Sequence, residues 1–464
     1  MPQLHDLTAL EQAAAVRAGE LSPAELVEHY AGRIERLDGG LGAFVTLTLD
    51  AARAQAAGPL PAGPLAGVPI GIKDLNLTAG VPTGFGSRAM AGYVPTVSDF
   101  VVDKLREAGT ISLGKTATPE FGLPCYTETE VGPPTRNPWD LSLSAGGSSG
   151  GAGAAVAAGL LPVAQGSDGG GSLRIPGSVN GLVGLKVARG RISLGPVMGD
   201  ITGLPVNGPL ARTVRDAAAL LDAMAGPMPG DPHWAPPPAQ SFLSVCDRPP
   251  GRLRVGRTRT PIVDGATVHP HVVAAYDAAS ALLAGLGHDV EDIDPPYGPE
   301  LIPSFEVLWS VSAAGVAVPP ESEHQLLPLT RWLRERGRGM SARQFTAALA
   351  AVQAATRAGV RATAGYDVLL LPTLAQPPAP LGWFTDAGDP AAEFERQKRW
   401  TPFTAVFNAT GQPAVSLPLH TSPDGLPIGV MLVGRPADEV TLLSLSAQLE
   451  QARPWAHRHP PLWA

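Results

Sequence analysis

Cysteine is nearly absent from this chain. Only Cys125 and Cys246 occur, far apart in sequence. They match neither a disulfide framework nor a zinc-ligand spacing, so they read as free thiols of a reducing compartment. Long apolar runs are absent too. No stretch of about 18 purely apolar residues exists, which leaves no membrane span to expect. The opening MPQLHDLTALEQ lacks the basic and apolar regions of a signal peptide, and the expected location is cytoplasmic. Charge is sparse: Asp, Glu, Lys and Arg make up 16% of residues, with a formal net charge of −8 and no basic patch. Nucleic acid and membrane surfaces are therefore not expected partners. No fixed-period repeat is present.

What is present is a globular composition, 44% hydrophobic over 464 residues, with 54 glycines and 49 prolines to supply loops. The chain is organised around Ser144–Lys186, SAGGSSGGAGAAVAAGLLPVAQGSDGGGSLRIPGSVNGLVGLK. Two glycine-serine clusters, Gly146–Gly151 and Gly169–Ser172, flank an Ala-rich apolar segment that predicts a buried helix and then a strand. Around it, helical patterns alternate with short apolar strands, which predicts an α/β fold built on one large sheet. The first 60 or so residues read as helices, one opened by the capping box Ser22-Pro23-Ala24-Glu25. Gly67–Asp74 reads as a strand carrying Lys73, Thr110–Leu113 as a strand, Pro138–Ser144 as a turn, Ile175–Gly208 as strand and loop, and Pro209–Met224 as a helix. Residues 226–250 read as a connector and 300–362 as mostly helix. Tyr366–Thr373, Ala414–Pro418 and Ile428–Val433 read as strands, and Asp438–Glu450 as the last long helix.

Several motifs point to chemistry that their context does not support. Gly109–Thr116 matches the phosphate-loop pattern G-x-x-x-x-G-K-[ST], but its interior, Thr-Ile-Ser-Leu, reads as a strand, and Pro119 obstructs the helix that should follow. Ser112 and Lys115 match S-x-x-K, yet on a strand they face opposite sides. Gly146–Gly150 matches the G-x-S-x-G nucleophile elbow. The turn-like segment before it and the polar or proline-rich surroundings of the later histidines argue against that fold. His269-Pro270-His271 lacks a visible third metal ligand, and neither metal nor cofactor is expected.

The remaining signal is a pair of serines with an upstream lysine. Serine hydrolysis needs a base for the hydroxyl proton and N–H donors for the developing oxyanion. A lysine can be that base when burial lowers its pKa. Taken alone, Lys73 reads better as a solvated strand end, and the glycines as tight packing or turns.

Ordered blocks shift the balance. The stretch GGSSGGAGAAVAAGLLPVAQGSDGGGSLRIPGSVNGLVGLK, together with GVPIGIKDL, GKTATPEFG, GPPTRNPWD, GPLARTVRDAA, YDVLLLPT, GQPAVSLPL and GLPIGVMLVGRP, resembles the amidase signature family over nearly the whole chain, weakest at 226–362. The resemblance implies a single domain over 1–464 on one mixed twisted sheet covered by helices on both faces. Its parts are N-terminal helices (1–60), a catalytic core (61–225), a variable substrate-shaping region (226–362) and a return to the sheet (363–464). It implies Ser172 as nucleophile, Ser148 as relay after a cis Gly147–Ser148 peptide, and Lys73 as general base. It further implies Gly169, Gly170 and Gly171 with Ser172 as backbone oxyanion donors, and Ser149, Ser167, Asp168 and Arg174 as their support. The sequence departs from the pattern in two places. Ser167 stands where threonine is usual. Gly169 replaces a β-branched residue, which suggests a looser oxyanion loop or a wider space above it.

Activity on small aryl or alkyl amides follows as an expectation, with esters or carbamates also open. The alternatives are the amidase subunit of a tRNA-dependent amidotransferase and an α/β-hydrolase-type esterase. Pro124, Cys125, Tyr126 and Trp309 are expected to line the substrate pocket. Met198–Leu204, Phe305, Trp332 and Gln376–Pro378 are further candidates. A monomer or homodimer is expected.

Overall fold

The computed structural model describes residues 3–463. Its strands are β1 (Phe44–Leu47), β2 (Pro69–Lys73), β3 (Ile111–Thr116), β4 (Arg136–Asn137), β5 (Asp140–Ser144), β6 (Val163–Asp168), β7 (Val183–Lys186), β8 (Val206–Ala211), β9 (Arg254–Arg257), β10 (Asp289–Asp292), β11 (Val368–Pro372), β12 (Ala414–Thr421) and β13 (Pro427–Gly434). Eleven of them form one mixed sheet in the order β1-β3-β2-β6-β8-β7-β12-β13-β11-β9-β10, while β4 and β5 pair separately. β2 runs parallel to both β3 and β6, and β9 parallel to both β10 and β11. The pairs from β6 through β8, β7, β12 and β13 to β11 are antiparallel. The α/β architecture expected from the alternating pattern is therefore present.

Central strands here are buried along nearly their whole length because both sheet faces are covered. In β11, Val368 and Leu370 enter one core, and Leu369 and Leu371 the other. One face packs against helices Phe100–Glu107, Val214–Met224, Pro270–Gly285 and Glu439–Ala452. The opposite face carries two cores. One is built on helices Pro23–Leu41 and Gly150–Ala157, the other on Leu301–Gly315 and Ala342–Ala362. The segment following β6 lies between them: Leu173 is buried in the first, and Trp309 of the second reaches Gly169.

Local chemistry accounts for several of these elements. Ser22 Oγ accepts from Glu25 N–H, and the Glu25 carboxylate accepts from Ser22 N–H, with Pro23 at the first helical position. The helix Gly150–Ala157 is buried along its whole length. It needs glycine at 151, where a Cβ would lie 2.3 Å from Ala117 N.

Four readings are corrected. The N-terminal region is not purely helical, because β1 extends the sheet beside β3. Asp140–Ser144 is a strand, since its pairing with β4 lies outside the local pattern of Pro138 and Asp140. The helix expected at Pro209 begins only after Thr213, which caps it, because Pro209–Ala211 belong to β8. Residues 175–180, read as strand and loop, belong to a short buried helix that begins at Arg174. The phosphate-loop match resolves as β3 itself. There Lys115 is buried, donates to Asn76 O and Thr83 Oγ1, and sits 3.2 Å from an Asp74 oxygen. His269 caps the helix Pro270–Gly285. Among the described residues no helix is long and apolar enough to cross a membrane.

Candidate active site

Three loops converge beside the C-terminal ends of β2 and β6, which are adjacent and parallel. Lys73 is the last residue of β2 and is fully buried. Its N–H donates to Gln165 Oε1 at 3.0 Å. Its Nζ lies 2.8 Å from Ser148 Oγ, 3.0 Å from Ser167 Oγ and 3.4 Å from Ser167 O. Among the described residues Lys73 forms no ion pair. Burial dominates its titration and brings the pKa down from 10.5 to about 7, against an opposing pull from Asp168. An amine at that value is largely free base just above neutral pH, so it can accept a proton.

Ser148 follows a cis Gly147–Ser148 peptide. Ser149 Oγ donates to Ser167 O at 3.0 Å, and Ser149 N–H donates to Ser172 O at 3.2 Å. The latter contact ties the two serine loops together. No hydrogen bond joins the Ser148 and Ser172 hydroxyls among the described residues.

The loop Gly169–Ser172 is shaped by a buried acid. Asp168 Oδ1 accepts from Gly171 N–H at 2.7 Å, and Oδ2 accepts from Leu173 N–H at 3.1 Å. Gly171 N–H is thus already engaged, so the expectation that it serves as a free oxyanion donor is corrected. The N–H groups of Gly169, Gly170 and Ser172 have no acceptor among the described residues. Arg174, also fully buried, binds Asp168 through both Nε and Nη2, at 3.0 and 2.9 Å, and additionally reaches Thr404 O and Asn408 Oδ1. Burial alone would raise the Asp168 pKa. The Arg174 guanidinium overrides that and, with Lys186 and Asn408, holds it below the usual carboxylate range.

Removing one member of a buried ion pair leaves the other charge uncompensated. Arg174→Met is therefore expected to destabilise the fold by about 3–5 kcal/mol and to loosen the Gly169–Ser172 loop. Urea unfolding monitored by far-UV circular dichroism checks it, and an unchanged midpoint would contradict the assigned role.

Above Ser172 lies a cavity of about 100 Å³, small beside the roughly 300–1,000 Å³ usual for ligand sites. Leu123, Pro124, Cys125, Gly170, Ser172, Phe305 and Trp309 line it, together with Phe394 and Val406. Of the expected pocket residues, Pro124, Cys125, Phe305 and Trp309 are there. Burial pushes the Cys125 thiol pKa well up, so it faces the cavity protonated. Tyr126 is not there. It is buried, stacks on Phe384 at 4.8 Å and donates to Glu393. Trp332 packs against Phe394 instead. Met198 and Asp200 border a different cavity beside His233, and Gln376–Pro378 lie outside the lining of the cavity at Ser172.

The two charged groups at the rim, Glu306 and Lys398, are paired to each other, and Glu306 also binds Arg336. No sequence pattern marks this rim. The same holds for Thr404, whose Oγ1 donates to Gly170 O at 2.6 Å, and for Asn408, whose Nδ2 donates to Asp168. Both lie more than two hundred positions from the loop they hold, beyond the reach of any local signal. No histidine lines the cavity.

In both sequence and fold the chain is similar to amide-bond hydrolases. The family model described as Amidase matches residues 25–443, and the chain belongs to that family of amide C–N hydrolases. The Mycobacterium tuberculosis protein AmiB2 is 43% identical over 97% of both chains. The 6-aminohexanoate-cyclic-dimer hydrolase of Paenarthrobacter ureafaciens is 40% identical over 98% of this chain and 96% of its own. The solved structure of a 6-aminohexanoate cyclic dimer hydrolase superposes with a TM-score of 0.93 at 36% identity, covering 100% of both chains. That of a bacterial aryl acylamidase gives 0.88 at 28% identity over 98% and 97%.

Proposed function

We propose that the protein hydrolyses small alkyl or aryl amides through an acyl-enzyme on Ser172, with Ser148 as relay and Lys73 as base. The observation that carries this reading is a fully buried amine without an ion-pair partner, 2.8 Å from the Ser148 hydroxyl. A hydroxyl can accept one proton while donating another, so Ser148 can pass the Ser172 proton to neutral Lys73. Ser172 Oγ then bonds to the amide carbon, and the N–H groups of Gly169, Gly170 and Ser172 are the donors left to meet the oxyanion. Collapse breaks the C–N bond, and the amine leaves with the proton returned through Ser148. Water releases the acyl group by the same relay. The gap between the two serine hydroxyls closes with substrate in place, since hydrogen bonds of this kind commonly tighten only in the bound complex.

The substrate class rests on the cavity. Its lining is mainly apolar and its two charges neutralise one another, which favours an uncharged alkyl or aryl group. The relatives' names point the same way: one acts on a cyclic dimer of an alkyl amino acid, another on aryl acylamides. Purified protein assayed against anilides, aliphatic amides, carbamates and amino-acid amides is expected to turn over the first two best. Activity confined to glutamine or asparagine, or appearing only with partner subunits, would favour an amidotransferase subunit instead.

A further inference from the structure

Gly171 and Gly169 are glycines for different reasons. Gly171 has φ +137°, and a Cβ there would lie 2.5 Å from Thr404 Oγ1, so backbone and surroundings both require glycine. Gly169 is not among the residues with positive φ, so any L-residue could adopt its backbone. A Cβ at 169 would meet only the indole of Trp309, with Cη2 and Cζ3 each 3.5 Å away. That is ordinary contact, so alanine fits. The γ atoms of a β-branched residue extend one bond further, and the ring leaves them no room on its side. The wider space expected over Gly169 is therefore filled from another part of the chain.

We propose that Gly169 and Trp309 form one specificity element: Trp309 takes the place of the missing side chain at 169 and limits bulk next to the scissile carbonyl on the acyl side. The ring is held in place. It stacks on Phe305 at 5.7 Å with an interplanar angle of 19°, and it packs against two separate apolar clusters. It lines the same cavity as Gly170 and Ser172. Ser148 and Lys73 do not line that cavity. The departing amine must reach Ser148 for its proton, so the cavity receives the other half of the substrate. That half is the acyl group, which stays on Ser172 through both half-reactions. The inference thus rests on Ser172 being the acylated residue.

The test measures kcat/KM for p-nitroanilides with acetyl, isobutyryl and pivaloyl groups, alongside melting curves. Trp309→Ala is expected to shift preference toward the branched acyl groups by about tenfold relative to acetyl. Gly169→Ala, whose Cβ only touches the ring, should keep the parent's ranking of the three acyl groups. Gly169→Val should lose about a hundredfold on every substrate, by displacing the ring and with it the loop. Adding Trp309→Ala to Gly169→Val should restore most of that loss. An unchanged acyl preference in Trp309→Ala overturns the proposal. So does a change confined to a series of acetamides varied in the amine, or a Gly169→Val defect that persists in a double variant of normal melting temperature. Should Gly169→Val fail to fold, the Trp309→Ala series decides alone. Activity surviving in Ser172→Ala would instead mark failure of the acyl-enzyme reading, which separates the two.

Discussion

Ser172→Ala is expected to lower kcat/KM for amide hydrolysis by about 10⁴-fold or more, because no other group can then form the acyl-enzyme. Stability should barely change. The Ser172 hydroxyl has no hydrogen-bond partner among the described residues, and its backbone contacts to Ser149 and the loop do not involve the side chain. A thermal melt close to that of the parent therefore separates loss of chemistry from loss of fold. The serines act as a unit, so the Ser148→Ala/Ser172→Ala pair should cost little more than Ser172→Ala alone. Intact-mass detection of an acyl adduct, present in the parent and absent in Ser172→Ala, completes the test. Parent-level turnover by Ser172→Ala would move the nucleophile elsewhere.

Lys73 offers the second large effect, and it carries a pH signature. With burial holding its pKa at about 7, kcat/KM should climb as pH rises through neutrality and the free base becomes available. Lys73→Met should lose about 10³-fold or more, removing the base, and that limb of the profile should vanish in whatever activity remains. Stability should move the opposite way. The unfolded chain keeps this lysine protonated up to about 10.5 while the folded protein releases the proton near 7. The unfolded state therefore binds more protons between those values, and this residue's contribution to stability improves as pH rises across them. Below neutrality its destabilising effect is full. Lys73→Met is thus expected to be the more stable protein, most visibly in weakly acidic buffer, while nearly inactive. A flat activity profile across neutral pH, or a variant that melts lower than the parent in acid, contradicts the assignment.

Legibility in the sequence follows physical locality. Ser22-Pro23-Ala24-Glu25 reads as a helix start because every group in a capping box lies within one turn. YDVLLLPT reads as a buried strand because burial on both faces demands uniform apolarity. Pro209–Ala211 reads as helix from its neighbours, yet its place in β8 comes from pairing with Gln165, Ala164 and Val163, forty or more positions earlier. Tyr126 reads as a pocket residue together with Pro124 and Cys125, and only those two line the cavity. Glu393, which captures its hydroxyl, comes from a remote helix.

The site divides the same way. The glycine-serine clusters and Lys73 are visible as chemistry-bearing residues, and their order along the chain matches a family pattern. From the sequence alone came the lysine, the two serines and the glycine clusters, together with the strand that ends in Lys73 and the buried helix and strand between the clusters. The tertiary structure decided the rest. Burial of Lys73 brings its pKa down to about 7, where an exposed amine would stay a solvated cation. Asp168 takes Gly171 N–H out of the set of free donors. Trp309, from a helix well over a hundred positions away, fills the space over Gly169. Each of these depends on dielectric or on excluded volume, and both are set by neighbours that only the folded chain brings together.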